Sequence, residues 1–525
     1  MPETLADLLR TQAATIGDHI AFTFEGRDVT YRDLDATASR VANGLRSEGV
    51  GRGDRIAFLD RNTLELFELM FGAAKIGAVL CPVNWRLAPS EVAHVVNDAR
   101  ARFFVVGSDF FSLLDECEPM LTSDPLVLTV GAHAHHREFG EWRDAQAESD
   151  PGEATAADDV AIQFYTSGTT GLPKGAMLTS ANLASLVPAA SEALGLDENT
   201  VSLVAMPLFH VAGAGWALFG LMNGARNVML RDVDLPAILD AIPHYGITHA
   251  VFVPAVLQFM LASPGIEDTD FSTLETIVYG ASPISEGVLV AAMERFGCGF
   301  VQAYGLTETS GGVVLLYPED HDPGGPLAHR LRAAGRPMRG VTLRIAGADG
   351  TALPTGEIGE VWISSPSTMI GYWDRPEATA EAITPDGWFR SGDAGRFDAD
   401  GYLYIEDRVK DMIITGGENV FPAEIESMLM GHPAVADVAV IGVPDDRWGE
   451  TVKAIVVPAP DTSDEASARR ALEGDLLSWS RERLAGYKCP TSVDWIDELP
   501  RNPSGKILKR ELRAAYWAGR DRQVS

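Results

Sequence analysis

Short apolar runs alternate with segments of helical periodicity through about the first 400 residues. Three of the runs predict strands: Arg55–Leu59, Ala78–Val83 and Arg102–Val106. Between them, Leu64–Ile76 has the spacing of a buried helix, and Pro89 opens the next one. Because strands without polar alternation are buried on both faces, this order predicts an α/β fold of parallel-rich sheets with flanking helices.

The pattern changes near residue 400. Two strand-like runs, Val435–Val443 and Thr451–Val457, flank a Pro-Asp-Asp turn. Thr462 and Glu465 then form a candidate capping box for a helix that runs to about Ala485. The C-terminal part is therefore predicted to be a small α+β domain, and a chain of 525 residues is long enough for two or more domains.

Two further segments have distinctive patterns. Residues 131–158 are polar and irregular, which predicts a surface connection. Val201–Ala225 contains no Asp, Glu, Lys or Arg, and its length would span a bilayer. Pro207, His210 and Asn223 interrupt this run, so the pattern favours a buried helix beside a pocket over a transmembrane segment.

Charge and cysteine content narrow the class of protein. The formal net charge of −32 disfavours a nucleic-acid partner, because the phosphates would be repelled. The four cysteines show no CxxC pairing and are too sparse for a disulfide framework. The N-terminal residues lack the basic and apolar regions of a signal peptide. We therefore expect a cytoplasmic protein without a transmembrane segment.

The segment from Tyr165 to Gly175 carries the strongest chemical signal. It reads Tyr-Thr-Ser-Gly-Thr-Thr-Gly-Leu-Pro-Lys-Gly and follows the apolar run 160–164. Its glycines permit tight turns that point backbone N–H groups into a concavity, while hydroxyls and Lys174 add donors and positive charge. This composition predicts a phosphate-binding loop, although the order of a Walker loop is absent.

Other motifs follow in a fixed order: Pro207–His210, Tyr279–Pro283, Tyr304–Thr309, Gly387–Asp393, Asp407–Asp411 and Asn502–Lys506. Together with the loop, they resemble the adenylate-forming superfamily, which includes acyl-CoA synthetases, amino-acid adenylation domains and firefly luciferase. They are distributed over nearly the whole chain. The resemblance implies an AMP-forming ligase that uses ATP, Mg²⁺ and coenzyme A (CoA).

The resemblance also implies the ATP-binding residues. Those matching phosphate contacts are Thr166, Ser167, Gly168, Thr169, Thr170, Gly171 and Lys174. Those matching the segments around adenine are Gly280, Ala281, Ser282, Gln302, Ala303 and Tyr304, and Asp393 and Arg408 match the ribose contacts. Glu308 matches the magnesium ligand, and Thr307 matches a contact to a phosphate or to the acyl carboxylate.

Further matches concern acyl transfer. Lys506 matches the lysine that stabilises negative charge during adenylation. His210 matches a gate between the acyl pocket and the pantetheine tunnel, and Gly416, Gly417 and Glu418 match the loop that lines this tunnel. Arg86 and Trp448 match CoA contacts of some relatives. Cys489 and Thr491 stand where some relatives carry basic residues, so the contacts to the CoA phosphates differ here.

By the same resemblance, the chain divides into an N-terminal AMP-binding domain, 1–409, and a mobile C-terminal domain, 410–525, with Lys410 as the hinge. The C-terminal domain would rotate between adenylation and thioester formation. The sequence does not decide whether the protein forms a homodimer.

The expected function is activation of a medium- or long-chain fatty acid to its CoA thioester; the alternative is an aryl acid of the cinnamate or benzoate type. An amino-acid adenylation domain is disfavoured because Val201–Leu230 contains no Asp or Glu to pair with an ammonium group. A carrier-protein adenylation domain and a luciferase-like oxidoreductase are further alternatives. A non-catalytic nucleotide-binding regulator is disfavoured because Lys506 and Glu308 are both present.

Overall fold

The computed structural model describes residues 3–166, 173–416, 418–445, 447–460, 466–501 and 507–518. The chain forms two compact units. The first consists of Met1–Leu343 and Ile363–Phe389, and the second consists of Arg344–Trp362 and Arg390–Ser525.

Strands and helices are numbered in chain order over the described residues. The strands are β1 Ile20–Phe24, β2 Arg27–Thr30, β3 Arg55–Leu59, β4 Val79–Pro82, β5 Phe103–Gly107, β6 Leu126–Val130, β7 Arg137–Glu138, β8 Val160–Thr166, β9 Lys174–Thr179, β10 Val201–Val204, β11 Arg226–Met229, β12 His249–Phe252, β13 Thr276–Gly280, β14 Gly299–Leu306, β15 Gly311–Leu316, β16 Arg336–Pro337, β17 Thr342–Ala346, β18 Gly359–Ser364, β19 Gly371–Tyr372, β20 Phe389–Phe397, β21 Leu403–Arg408, β22 Ile413–Thr415, β23 Glu418–Val420, β24 Val435–Asp445, β25 Gly449–Pro458 and β26 Ser492–Trp495. The helices are α1 Leu5–Thr15, α2 Tyr31–Ser47, α3 Leu64–Ala74, α4 Pro89–Asp98, α5 Phe111–Cys117, α6 Phe139–Asp144, α7 Ser180–Ser185, α8 Val187–Leu194, α9 Val211–Met222, α10 Leu235–Tyr245, α11 Pro254–Leu261, α12 Glu286–Phe296, α13 Pro376–Ala382, α14 Pro422–Met430, α15 Ala466–Arg483 and α16 Lys509–Ala514.

Two sheets of mainly parallel strands form the first unit. Over the described residues, one has the order β16-β15-β14-β13-β12-β10-β11-β1-β2 and the other β19-β9-β8-β4-β3-β5-β6-β7. The predicted strands β3, β4 and β5 pair in parallel and are almost entirely buried. The helices predicted beside them are present as α3 and α4. The α/β prediction is therefore confirmed.

Two local predictions were wrong. The uncharged run 201–225 is not one helix, because β10 occupies its start and α9 begins only at Val211. Uniform apolarity has no period that could mark this change. The polar connection 131–158 contains β7 and α6, and Phe139 and Trp142 of α6 are buried. Within the described part of the chain, no helix is long and apolar enough to cross a membrane.

The second unit contains two sheets, in which the pairs β20–β21, β22–β23, β22–β25 and β24–β25 are antiparallel and β25–β26 is parallel. One sheet, mainly within this unit, has the order β17-β18-β20-β21. The other has the order β23-β22-β25-β24 with β26 beside β25, and α14 and α15 cover the apolar side chains of its core. The predicted strand pair 435–443 and 451–457 is present as β24 and β25, and α15 ends at Arg483. The predicted capping residues Thr462 and Glu465 lie outside the described residues.

The compact units do not divide where the expected domains do. Residues 390–409 belong to the same unit as the C-terminal residues, as does the segment 344–362. Compactness reports where contacts are dense, whereas a hinge is defined by where the backbone turns during motion. The boundary at Lys410 therefore stays a prediction.

Candidate functional site

The carboxyl ends of two parallel strands bring the predicted adenine segments together. In the β13–β14 pair, Tyr279 is opposite Gln302 and Gly280 is opposite Ala303. A Cβ on Gly280 would lie 2.1 Å from the Ala303 carbonyl oxygen, so only glycine permits this approach. Ala281 follows with a φ of +66°, a strained conformation for a residue with a side chain. Ligands bind at such strand ends in open α/β sheets.

Glu308 lies just beyond β14, in a single 3₁₀ turn formed by Thr307–Thr309. The turn is fixed by the Leu306 N–H, which donates to the Thr309 hydroxyl at 2.9 Å. The Glu308 carboxylate is 9% exposed, and its Oε1 accepts hydrogen bonds from the Tyr372 hydroxyl at 2.8 Å and the Thr166 hydroxyl at 3.4 Å. Because both hydrogen bonds use the same carboxylate oxygen, the second oxygen can bind a cation.

Thr166 and Lys174 mark the two ends of the predicted phosphate loop. They face each other in the antiparallel β8–β9 register, so the loop between them starts and ends at one place. Thr166 contacts Glu308, and Lys174 Nζ lies 5.4 Å from the centre of the Tyr372 ring. Ser167, Gly168, Thr169, Thr170 and Gly171 lie outside the described residues.

Sequence reasoning missed Tyr372. It lies 64 residues beyond the carboxylate that it contacts, so no local spacing connects the two. A signal was nevertheless available, because Gly371-Tyr372-Trp373 is a small aromatic motif that interrupts a run of polar and small residues.

His210 and Arg86 lie around one aromatic cluster in the first unit. The Phe209 and His210 rings are 4.4 Å apart, and the Arg86 guanidinium lies 4.6 Å from the Trp85 ring and 5.9 Å from the Phe209 ring. The chain before His210 is fixed by the buried Asn62, whose side chain donates to the Met206 carbonyl at 3.1 Å and accepts from the Leu208 N–H at 3.0 Å. The predicted gate residue, His210, and the predicted CoA contact, Arg86, are therefore near each other.

The small residues that begin α9 have two different roles. A Cβ on Gly213 would lie 2.3 Å from the Pro207 carbonyl oxygen, so this glycine permits close packing of the helix. Among the described residues, a Cβ on Gly215 would meet only Val211 within 4 Å, at 3.3 Å, and one on Gly311 of β15 would meet only the same valine, at 3.7 Å. Gly215 and Gly311 thus border open space beside Val211.

The predicted ribose-binding pair lies in the second unit. Asp393 and Arg408 are cross-strand partners in β20–β21, and Arg408 Nε lies 2.9 Å from Asp393 Oδ1. The Arg408 Nη1 also donates to the Ser391 carbonyl at 3.3 Å. The two side chains therefore form an ion pair, which holds both of them in place. Contact with a ribose stays a prediction.

Two residues predicted to contact CoA in the second unit lie together. The Gly416 N–H donates to the Trp448 carbonyl at 2.8 Å, and Gly416 has a φ of +60° with the indole ring directly above it. Trp448 is 47% exposed, and Glu418 is also exposed at the start of β23. Gly417 and Lys506 lie outside the described residues.

The predicted hinge lies between two anchored carboxylates of the second unit. Lys410 is the middle residue of a 3₁₀ turn, Val409–Asp411. Before it, Asp407 Oδ2 accepts from the Ala423 N–H at 2.8 Å, and after it, Arg513 pairs with Asp411 at 2.8 Å.

Comparison with known proteins identifies the family. Residues 9–373 match the AMP-binding enzyme family, and residues 424–506 match the AMP-binding enzyme C-terminal domain. These two matches cover most of the chain. The protein belongs to the AMP-binding enzyme family.

Relatives with established names extend the match over the full length. A fatty acid–acyl-carrier-protein ligase of Streptomyces coeruleorubidus is 42% identical over 506 residues, covering 95% of this chain and 94% of its own. A feruloyl-CoA synthase of an Amycolatopsis species is 41% identical over 493 residues, covering 94% of both chains. A long-chain-fatty-acid–CoA ligase of Mycobacterium tuberculosis is 36% identical over 511 residues, covering 97% of both.

Solved structures agree with this assignment. The anthranilate CoA ligase AuaEII in complex with anthranoyl-AMP superposes with a TM-score of 0.88 at 27% identity, covering 98% of this chain and 97% of that one. The o-succinylbenzoate CoA synthetase of Bacillus subtilis in complex with its acyl-adenylate intermediate has a TM-score of 0.85 at 30% identity, covering 96% of this chain and 97% of that one.

Proposed function

We propose that this chain is an ATP-dependent acid–CoA ligase that converts a medium- or long-chain fatty acid, through an acyl-adenylate, into its CoA thioester. The observation that carries the proposal is the position of Glu308. Its buried carboxylate contacts Thr166, at the entrance to the Gly/Ser/Thr segment, and Tyr372, whose ring lies near Lys174. The membership of the AMP-binding family connects this arrangement with the adenylation of carboxylic acids.

In the first half-reaction, the substrate carboxylate attacks the α-phosphate of ATP and pyrophosphate leaves. Thr166 and Lys174 place a hydroxyl and an ammonium group at the ends of the phosphate loop, and Thr307 adds a hydroxyl beside Glu308. Lys506 would stabilise the negative charge that develops on the phosphate oxygens.

The residues present fit magnesium. Glu308 would supply a protein carboxylate; among the described residues no group of three or more His, Cys, Asp or Glu side chains is arranged around a common point. Magnesium is commonly bound by one or two carboxylates together with substrate phosphates. When bound there, the ion would neutralise charge on the phosphate oxygens.

In the second half-reaction, the CoA thiolate attacks the acyl carbon and AMP leaves. We assign His210 beside Phe209, and Gly416 beside Trp448, to the pantetheine path. Trp448 offers an exposed aromatic face for a nucleotide base. Rotation of the C-terminal domain about Lys410 would remove Lys506 from the reacting groups and open the pantetheine path.

The acyl chain would occupy the space beside Val211 that Gly215 and Gly311 leave open. Glycines at these positions suit a long alkyl chain. A second candidate, a flat aryl acid, is supported by the same glycine surfaces and by the 41% identity to a feruloyl-CoA synthase. The acceptor that we propose is CoA, and a carrier-protein phosphopantetheine arm is its alternative, since one relative is named an acyl-carrier-protein ligase.

Pyrophosphate release across a panel of acids tests the proposal. The purified protein is incubated with ATP and Mg²⁺ and with octanoate, palmitate, ferulate, benzoate or an amino acid, each with and without CoA. The proposal expects pyrophosphate and AMP in equal amounts, with an acyl-CoA product from the fatty acids. Thioester formation only with ferulate or benzoate would establish the aryl alternative, and adenylation without transfer to CoA would redirect the search to carrier proteins.

A further inference from the structure

Tyr372 contacts the Glu308 carboxylate and also lies near the Lys174 ammonium group. Its hydroxyl donates to Glu308 Oε1 at 2.8 Å, and its ring centre lies 5.4 Å from Lys174 Nζ. The Met369 N–H, three residues earlier, donates to the Glu308 backbone carbonyl at 2.8 Å. This segment therefore contacts Glu308 through both its side chain and its backbone.

The backbone of Tyr372 is fixed by its own strand pairing. Gly371 and Tyr372 form β19 against Met177 and Ala176 of β9, the strand that begins at Lys174. The Trp373 N–H then donates to the Gly175 carbonyl at 2.8 Å. The position of Tyr372 is thus set by the strand that leaves the phosphate loop.

A partly buried cluster holds the residues that follow Tyr372. The Arg55 guanidinium stacks 3.4 Å from the Trp373 ring centre, and the Trp373 indole N–H donates to the Asp98 carbonyl at 2.9 Å. Arg375 pairs with the Asp98 carboxylate at 2.5 Å. These contacts restrict Tyr372 to one position, so its hydroxyl is placed before any ligand arrives.

We infer that Tyr372 is a positioning residue: its hydroxyl fixes Glu308 through Oε1 and so presents Oε2 to the cation that accompanies ATP. This inference rests on the proposed function, because it assigns a partner to the carboxylate used there. A hydrogen bond to an ionised acceptor is stronger than a neutral one and directional, so it orients a carboxylate as well as stabilising it. Without the hydroxyl, the carboxylate would sample other rotamers and bind the cation more weakly.

Removing the hydroxyl while keeping the ring tests this role. In Tyr372→Phe the ring beside Lys174 remains and the hydroxyl that donates to Glu308 is removed. Tyr31→Phe is the matched control, because the buried Tyr31 hydroxyl donates to the Ala225 carbonyl at 2.8 Å. Both variants lose one hydroxyl that donates a hydrogen bond, but only one of the two hydroxyls contacts Glu308.

Binding of Mn²⁺, a spectroscopic substitute for Mg²⁺, is measured by electron paramagnetic resonance in the presence of a non-hydrolysable ATP analogue. Tyr372→Phe should weaken Mn²⁺ binding about tenfold, which corresponds to about 1.4 kcal/mol. Tyr31→Phe should bind Mn²⁺ like the wild type. In a Glu308→Gln background, adding Tyr372→Phe should have no further effect, because the two residues act through one interaction. Para-aminophenylalanine at position 372, which keeps a donor, should restore binding and keeps the test valid if the phenylalanine variant unfolds.

The outcomes separate this inference from the function on which it rests. Wild-type protein that binds Mn²⁺ with the analogue, together with equal binding by folded Tyr372→Phe, overturns the positioning role and leaves the ligase proposal intact. An additive effect of Tyr372→Phe in the Glu308→Gln background also overturns it. Wild-type protein that binds no Mn²⁺ with the analogue overturns both.

Discussion

At the scale of single residues, two glycines in the first turns of α9 have opposite relations to their surroundings. Gly213 faces the Pro207 carbonyl, where a Cβ would be 2.3 Å away, whereas a Cβ on Gly215 would be 3.3 Å from Val211. Gly213→Ala should lower the melting temperature because the helix must move. Gly215→Ala should lower it less than Gly213→Ala does, because only the Val211 side chain has to shift and alanine favours helix by about 1 kcal/mol.

The same pair also tests the acyl pocket. We expect Gly215→Ala to reduce the activation of the longest acids relative to shorter ones, because the added methyl group enters the space beside Val211. Acid preference is measured by pyrophosphate release over a chain-length series. An unchanged preference in Gly215→Ala would show that the acid binds elsewhere.

Asp60 provides a prediction of pH dependence. Burial raises the pKa of this carboxyl to about 6, although the Arg61 N–H and the charge of Arg231 oppose the shift. Because the pKa in the folded state is above the unfolded value, the stability associated with Asp60 is fully present below the unfolded pKa, at about pH 4, and is lost as the pH rises through about 6.

Asp60→Asn should remove this dependence. The melting temperature of the wild type should therefore fall relative to that of the variant between about pH 4 and pH 7 and then stay parallel to it. Asp109→Asn is the control, because that carboxylate pairs with the same Arg231 but is 44% exposed. Parallel melting temperatures over the whole range would contradict the assignment.

Single residues also show where sequence prediction stops. The motifs that contain Thr166, Glu308 and Asp393 are local, so these residues could be predicted as site residues from the sequence alone. The partner of Glu308 depends on the pairing of β19 with β9, a contact made by the fold. Tyr372 was missed for this reason, although every residue around it could be read in the sequence.

At the scale of elements, a buried cluster of charged side chains holds α16 against α14 within the second unit. Lys509 Nζ lies 2.8 Å from Glu426 Oε1 of α14 and 4.0 Å from Asp407 Oδ2, and the three side chains are 11%, 18% and 7% exposed. Burial raises the pKa of both carboxyls; it opposes the charge on Lys509, but the two carboxylates outweigh it and raise the pKa of the lysine. Arg513 and Asp411 form a neighbouring pair.

Lys509→Met leaves these carboxylates without their cation, which should destabilise the second unit by about 3–5 kcal/mol near neutral pH. Lys488→Met is the control, because the Lys488–Glu424 pair is 24% and 29% exposed and should contribute about 1 kcal/mol or less. Hydrogen exchange of α14 and β24 measures both changes. The deficit of Lys509→Met should shrink as the pH falls, because Glu426 and Asp407 become protonated. Equal effects in the two variants would contradict the cluster.

Strands and helices could be predicted where the sequence marks their ends, and could not be predicted where it does not. Strands β3, β4 and β5 were found because short apolar runs were bounded by turns, and α4 because Pro89 marks its first turn. The break between β10 and α9 was not found, since apolar residues fill both elements. The boundary of the compact units at Phe389–Arg390 depends on contacts that no local pattern reports.

At the scale of the whole molecule, the division into two half-reactions predicts variants with opposite defects. Lys506→Ala should nearly abolish acyl-adenylate formation while leaving thioester formation from supplied acyl-adenylate largely intact.

Lys410→Pro should keep pyrophosphate exchange and lose thioester production, because proline fixes φ near about −65° and prevents rotation at that residue. Both rates are measured in one preparation, with folding checked by thermal melting. Near-wild-type thioester production by Lys410→Pro would exclude this hinge.

The central claim is that the acid carboxylate attacks the α-phosphate of ATP, and isotope transfer tests it most directly. A fatty acid labelled with oxygen-18 in its carboxylate is converted with ATP and CoA in a single turnover, and the products are analysed by mass spectrometry. The account predicts that the label appears in AMP, with unlabelled pyrophosphate, because one carboxylate oxygen stays on the α-phosphorus when the thioester forms. Label in orthophosphate together with ADP would contradict the account, since it would mean attack at the γ-phosphate.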